Sequence, residues 1–154
     1  SAVENMLLGR EKEKTFHKAG IIIDQIELQR VSSEAVKKFD VRLASLKVPA
    51  GSLSGGNQQK LLIAREFTKP GIRLVIAEHP SRGLDIASTE FVQKSLIRMR
   101  NQGISVILIT ADLDELLSVS DRLAVLYNGR FIAMTRPGEC TPQELGLYMT
   151  GGKE

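Results

Sequence analysis

Three short apolar runs in the second half of the chain, alternating with stretches of helical spacing, constrain its fold more than any other feature. They are Leu74-Val75-Ile76-Ala77, Ser105 to Thr110 (SVILIT) and Arg122 to Tyr127 (RLAVLY). Each is too short for a buried helix and suits a strand buried on both faces. Between the first two, Val92, Leu96 and Met99 share one face of a helix predicted over 86–101, with Asn101 and Gly103 at its end. Between the second and third, a short helix over 112–119 turns Leu113, Leu116 and Leu117 inward. Strand–helix–strand order predicts a parallel α/β sheet. Asn128-Gly129 then predicts a tight hairpin with an antiparallel fourth strand at about 130–135. Thr141 caps a last helix through Met149.

Residues 1–68 have another character. Leu28, Val31, Ala35, Val36 and Phe39 recur at helical spacing, with Ser32 and Ser33 as candidate caps. Residues 40–56, rich in Ser, Gly and Pro, read as a connection, and a helix over about 56–68 carries Leu61, Leu62, Ile63 and Ala64. The predicted organisation is a helical part over 1–68 and an α/β part over 69–154. With 154 residues the chain is long enough to bury a core. A net charge of +3 with no long single-sign run is no nucleic-acid footprint, so no nucleic-acid partner is expected. The single cysteine, Cys140, excludes an internal disulfide and a cysteine-based zinc site. No apolar run is long enough to span a bilayer, and the opening SAVENMLLGREKEK lacks a signal-peptide core.

The segment LSGGNQQK, residues 53–60, carries the chemistry. A serine and two glycines stand at the start of a predicted helix. Amide N–H groups there have no intrahelical partner, and the helix dipole favours an anion beside them. Glycine lets those donors approach a phosphate closely, and the Ser54 hydroxyl adds a further hydrogen bond. A plain Gly-rich turn with a serine cap fits the spacing equally well.

The ordered context decides between these readings. LSGGNQQK resembles the signature sequence of ATP-binding-cassette ATPases. About fifteen residues on, the strand ending at Glu78-His79 and the loop Pro80-Ser81-Arg82-Gly83-Leu84-Asp85 resemble the family's second acidic motif and its Asp-containing loop. Ile109-Thr110-Ala111-Asp112 stands where the family has a switch residue. DRLAVLYNGR, residues 121–130, is similar to its closing strand and hairpin, and Val3-Glu4-Asn5 with Leu7-Leu8-Gly9 to the opening of its helical subdomain. The resemblance covers essentially the whole chain. Its NQQK and SRGLD details are most similar to importers of sugars and nucleosides that fuse two cassettes in one polypeptide.

The resemblance implies a fragment of the P-loop (RecA-like) parallel sheet with helices on both faces, a closing hairpin and a helical N-terminal subdomain. It implies ATP and Mg2+ as cofactors of the full assembly. The implied partners are a complete cassette, transmembrane permease subunits and, indirectly, an external solute-binding protein, at the cytoplasmic face of the membrane. In such pairs each ATP lies between the phosphate loop of one cassette and the signature of the other. The implied roles place Leu53, Ser54, Gly55, Gly56 and Asn57 at the partner's ATP and Asp85 at the dimer seam. Gln58 either orients the helix or reaches the nucleotide.

Several family features are missing or changed. The phosphate loop G-x-x-x-x-G-K-[ST] does not occur: Gly152-Lys153 is followed by Glu154, and Leu147 stands where the first glycine belongs. The chain is therefore expected to begin after that loop, to be inactive alone and to self-associate through uncovered apolar sheet surface. Glu78 stands where the family has a magnesium-holding Asp, and His79 where it has the carboxylate that polarises water. Histidine is a poorer base there if charged and lacks the negative charge if neutral. Ala111 replaces the switch histidine and donates nothing. These changes fit a degenerate second cassette that completes its partner's site. A structural or regulatory adaptor, and a soluble cassette ATPase outside transport, are the alternatives. Among other residues, His17, Cys140 and the charged run at 10–14 are expected to be solvated or inert. Arg65 and Arg82 are expected to be surface charges or interface residues, and Phe39 and Leu46 to lie in the core.

Overall fold

The computed structural model describes residues 1–18 and 22–152. In chain order its elements are α1 (Ala2–Leu7), β1 (His17–Lys18), β2 (Ile22–Ile23), α2 (Gln25–Lys38), α3 (Gly55–Phe67), β3 (Leu74–Glu78), α4 (Ile86–Asn101), β4 (Ser105–Ile109), α5 (Leu113–Val119), β5 (Leu123–Tyr127), β6 (Arg130–Thr135) and α6 (Pro142–Met149). They form two compact units whose boundaries follow packing and not chain order. The first holds Ser1–Arg73 with Ser81–Ile104, the second Leu74–Pro80 with Ser105–Glu154.

The first unit is helical. α1 opens on a reciprocal cap, with Ser1 and Glu4 each bonding the other's backbone or side chain. Asp24 caps α2 by accepting from the Ile26 and Glu27 amides. The cap is not Ser32 or Ser33. Both lie inside α2, Ser32 buried and Ser33 donating to the Gln29 carbonyl. The unit's core joins three helices at Phe39, whose ring meets Phe67 and Phe91 edge to face with centroids 6.4 and 6.5 Å away. α4 ends on a Schellman turn: Gly103 has φ +81°, its amide bonds the Arg100 carbonyl, and the Ile104 amide bonds that of Met99.

Three details of this unit go beyond or against the sequence reading. The predicted helical part also contains a short antiparallel pair, His17 opposite Ile23 and Lys18 opposite Ile22. The run at 10–14 is not uniformly solvated. Arg10 is 6 % exposed, its guanidinium paired with both Glu13 oxygens at 2.8 Å, bonded to Thr68 and stacked 4.7 Å over Phe16. Arg65 is no free surface charge either, for it bonds Glu66 and Asn5. In both arginines a paired head lets the aliphatic stem pack inward, and in Arg10 the head is also stacked.

In the second unit β3 and β4 pair in parallel, Leu74 opposite Ser105 through Glu78 opposite Ile109. The third run does not extend this sheet. β5 pairs with β6 alone, antiparallel, so the described residues hold three two-stranded sheets. The hairpin follows from its turn: Asn128 and Gly129 both have positive φ, +46° and +76°, the geometry that a two-residue loop needs. Nor are β3 and β4 buried on both faces. Their side chains alternate, and Leu74, Ile76, Ile107 and Ile109 are exposed on one face. The unit's core gathers Leu123, Val125 and Leu145, with Leu113, Leu116 and Leu117 packed on it as their spacing predicts. α6 starts at Pro142 behind a full Thr141–Glu144 capping box.

Candidate functional site

Ser54 ends the connection and caps α3. Its backbone is extended, its hydroxyl accepts from the Asn57 amide, and the Asn57 side-chain amide donates to the same oxygen at 2.9 Å. The Asn57 carbonyl oxygen in turn takes the Arg42 amide at 2.7 Å. Gln58 spends its side-chain amide on the approach to the helix, bonding the Leu53 carbonyl at 2.8 Å. Gly55 faces open space, since a Cβ built there meets nothing within 4 Å. The turn therefore leaves bare backbone donors uncovered at the α3 N-terminus, as an approaching anion requires.

A second helix start lies beside the first. Asp85 caps α4, accepting from the Ser88 amide at 2.8 Å and the Ser88 hydroxyl at 3.1 Å. These bonds, the amide's first, hold its carboxyl below the ordinary aspartate range. Ser54, Gly56, Asn57, Asp85, Ala87 and Ser88 line one cleft of about 230 Å³ together with Arg42 and Lys60. Four of the predicted positions, Ser54, Gly56, Asn57 and Asp85, thus line one cleft although Asp85 lies 28 or more residues beyond the other three.

Arg42 and Lys60 escaped the sequence reading. Lys60 was visible only as the end of LSGGNQQK, and Arg42 lay inside a stretch read as plain connection. Lys60 bonds the Asp40 carboxylate at 2.8 Å and the Asp40 carbonyl at 3.1 Å, and its Nζ sits 4.9 Å over the Phe91 ring. Those contacts tie the α2 end, α3 and α4 together under the cleft. The same lysine bond lowers the Asp40 carboxyl's pKa. The Arg42 side chain is 82 % exposed, with only a loose 3.9 Å approach to Asp40, so its charge is available at the cleft.

The remaining predicted residues cluster in the second unit. Glu78 is the last residue of β3, opposite Ile109, and the His79 amide bonds the Ile109 carbonyl at 2.8 Å. Ala111 follows the end of the neighbouring β4. All three are exposed at the carboxyl ends of two parallel strands, the edge where α/β folds place ligands. His79 has φ +44°, a left-handed backbone. A Mg2+ ion prefers about six oxygens, commonly one or two carboxylates completed by phosphate and water. Among the described residues no three His, Cys, Asp or Glu side chains gather for a metal.

No protein-family profile matches the chain. It is 40% identical over 151 residues to the guanosine import ATP-binding protein NupO of Bacillus subtilis, covering 98% of this chain and 29% of NupO. It is 40% identical over 152 residues to the nucleoside import ATP-binding protein NupA of Lactococcus lactis, covering 99% of this chain and 30% of NupA. Its identity to the glucose import ATP-binding protein TsgD13 of Haloferax volcanii is 36% over 154 residues, 99% of this chain and 28% of that protein. The chain thus spans under a third of the length of these relatives. In fold it matches a metal-chelate type ABC transporter in an inward-facing conformation, with TM-score 0.77 at 22% identity over 98% of this chain and 58% of that one. The cassette MJ1267 gives TM-score 0.69 at 22% identity over 97% and 59%. Over nearly its whole length the chain is homologous to the ATP-binding subunits of nucleoside and sugar importers, and it carries part of the ATP-binding-cassette fold.

Proposed function

We propose that this chain is the signature-bearing half of an ATP site in an importer of nucleosides or sugars, and that the complementary half belongs to another cassette. The uncovered α3 N-terminus carries the reading. Ser54 and the amides of Gly55 and Gly56 face the γ-phosphate of ATP gripped by the phosphate loop of the other cassette. Arg42 adds a positive charge at the same cleft. Asp85 stands at the seam between the cassettes.

This half positions substrate and leaves the hydrolytic step to its partner. Glu78 offers one carboxylate to Mg2+, the ion that neutralises triphosphate charge. His79 presents an imidazole where the family's water-polarising carboxylate would stand, and Ala111 presents a methyl group where a hydrogen-bond donor would. An adaptor role is thereby favoured for the Glu78–His79–Ala111 edge taken alone. The cap and open turn at Ser54–Gly55 favour participation in the assembled machine.

Length supports a two-cassette parent. The chain spans 59% of the solved cassette MJ1267 but 29% of NupO, so NupO is about twice as long as one cassette. The membrane-spanning step falls to permease subunits, with the ATPase on the cytoplasmic face. Among the described residues no helix is long and apolar enough to cross a membrane. The test is ATP turnover of the assembled transporter carrying Ser54→Arg. A bulky cation on the cap should lower turnover by about a hundredfold, the scale of losing a preorganised donor. Unchanged turnover sinks the reading.

A further inference from the structure

The two signature glycines do different work. Gly55 faces open space, but Gly56 is closed on its Cα side. A Cβ built at Gly56 overlaps Ser88 Oγ and falls 3.2 Å from Ser88 Cβ and 3.7 Å from Asp85 Oδ2. Ser88 is 8 % exposed, third in α4, and grips Asp85 through both its amide and its hydroxyl. The Ser88 hydroxymethyl thus fills the space that any side chain at residue 56 would need. An added methyl there must displace the Ser88 hydroxyl from its Asp85 bond and crowd the Ser88 Cβ.

Resting on the signature reading above, we propose that Ser88 is a positioning residue, seated in the socket that Gly56 leaves, which locks the phosphate-facing turn of α3 to the Asp85 loop so that the two move as one piece. Gly56 is required for that seat, and Gly55 for the approach of the phosphate. The size complementarity makes the roles separable. A methyl at residue 56 can be accommodated when the side chain at residue 88 is removed, whereas a methyl that blocks a phosphate cannot be relieved from residue 88.

The experiment measures ATP turnover of the assembled transporter with Gly56→Ala, Ser88→Gly, the two combined, and Ser54→Arg, alongside thermal unfolding of the isolated chain for each. Gly56→Ala should cost about tenfold in turnover and lower the melting temperature, as overpacking does. Ser88→Gly should cost about threefold through the loosened Asp85. Adding it to Gly56→Ala should recover most of the lost turnover, a coupling that independent sites do not show. A combined variant that melts like the wild type yet turns over as slowly as Gly56→Ala overturns the socket and assigns Gly56 to phosphate approach, leaving the signature reading intact. Gly56→Ala at full turnover also overturns the socket. Ser54→Arg at full turnover overturns the signature reading and the proposal with it.

Discussion

Among the described residues three other than glycine hold a left-handed backbone: Asp40, His79 and Asn128, with φ +48°, +44° and +46°. Aspartate, histidine and asparagine are the side chains that tolerate this region best. His79 therefore has a conformational reason to stand after β3, separate from any catalytic one, and a β-branched residue there would be strained. Replacing His79 with Val should destabilise the second unit by about 1–2 kcal/mol, read by urea unfolding, while Asn should cost little. Asp85 makes a second prediction. Its folded pKa is lowered by the Ser88 bonds, so its contribution to stability is present above the unfolded value and lost as pH falls through the folded one. Melting temperature should drop on acidification below about pH 4, and the drop should be smaller in Asp85→Asn, whose cap does not titrate. Equal acid losses in the two proteins would count against the cap. The site residues were legible at this scale where a motif names them, as Ser54 and Asp85 are named. Arg42 was not, because its place at the cleft depends on an amide bond to Asn57 fifteen residues away.

From Leu74 onward, helices and strands stand where apolar spacing put them. α4 begins at Ile86 and ends at Asn101, and the hairpin closes at Asn128-Gly129, because caps and turns are local chemistry. What the spacing did not carry is partnership. RLAVLY forms a strand, but its apolar pattern does not say which edge it joins, and the hairpin turn commits β5 to β6. Likewise Ser32 has the chemistry of a cap, but burial against neighbouring helices placed it inside α2 and left the cap to Asp24. Phe39 shows how much one contact can fix. It closes α2, and its ring meets both Phe67 of α3 and Phe91 of α4. The helix bearing the signature is held from two sides through this ring. Phe39→Ala should cost about 3–5 kcal/mol, the usual price of an emptied aromatic core position. Denaturant unfolding checks the value. A loss under about 1 kcal/mol would mean that the site collapses around the void or that the ring carries little of the packing.

At the scale of the whole chain the second unit is short of covering surface. The β3–β4 pair sets Leu74 and Ile76 beside Ile107 and Ile109 on a face where these four are roughly half exposed, at 48, 62, 47 and 48 %. The sheet has only two strands among the described residues, so its edges add unpaired backbone groups to that apolar face. Water is a poor neighbour for both. Each aliphatic side chain gains about 1.5–3 kcal/mol from full burial, and these forgo about half of it. The remedy at hand in a purified sample is another copy of the same chain, laying one such face on the other. The isolated chain should therefore sediment as a mixture whose average mass rises with concentration. Ile76→Lys with Ile107→Lys puts two like charges on the face and should return the chain to a single monomeric species. The melting temperature of the monomer should stay close to that of the parent, because neither side chain lies in the core built on Leu123, Val125 and Leu145. Unaltered association in the double variant would place the sticky surface elsewhere, with Phe131 and Met134 of β6, at 70 and 65 % exposure, as the next residues to change.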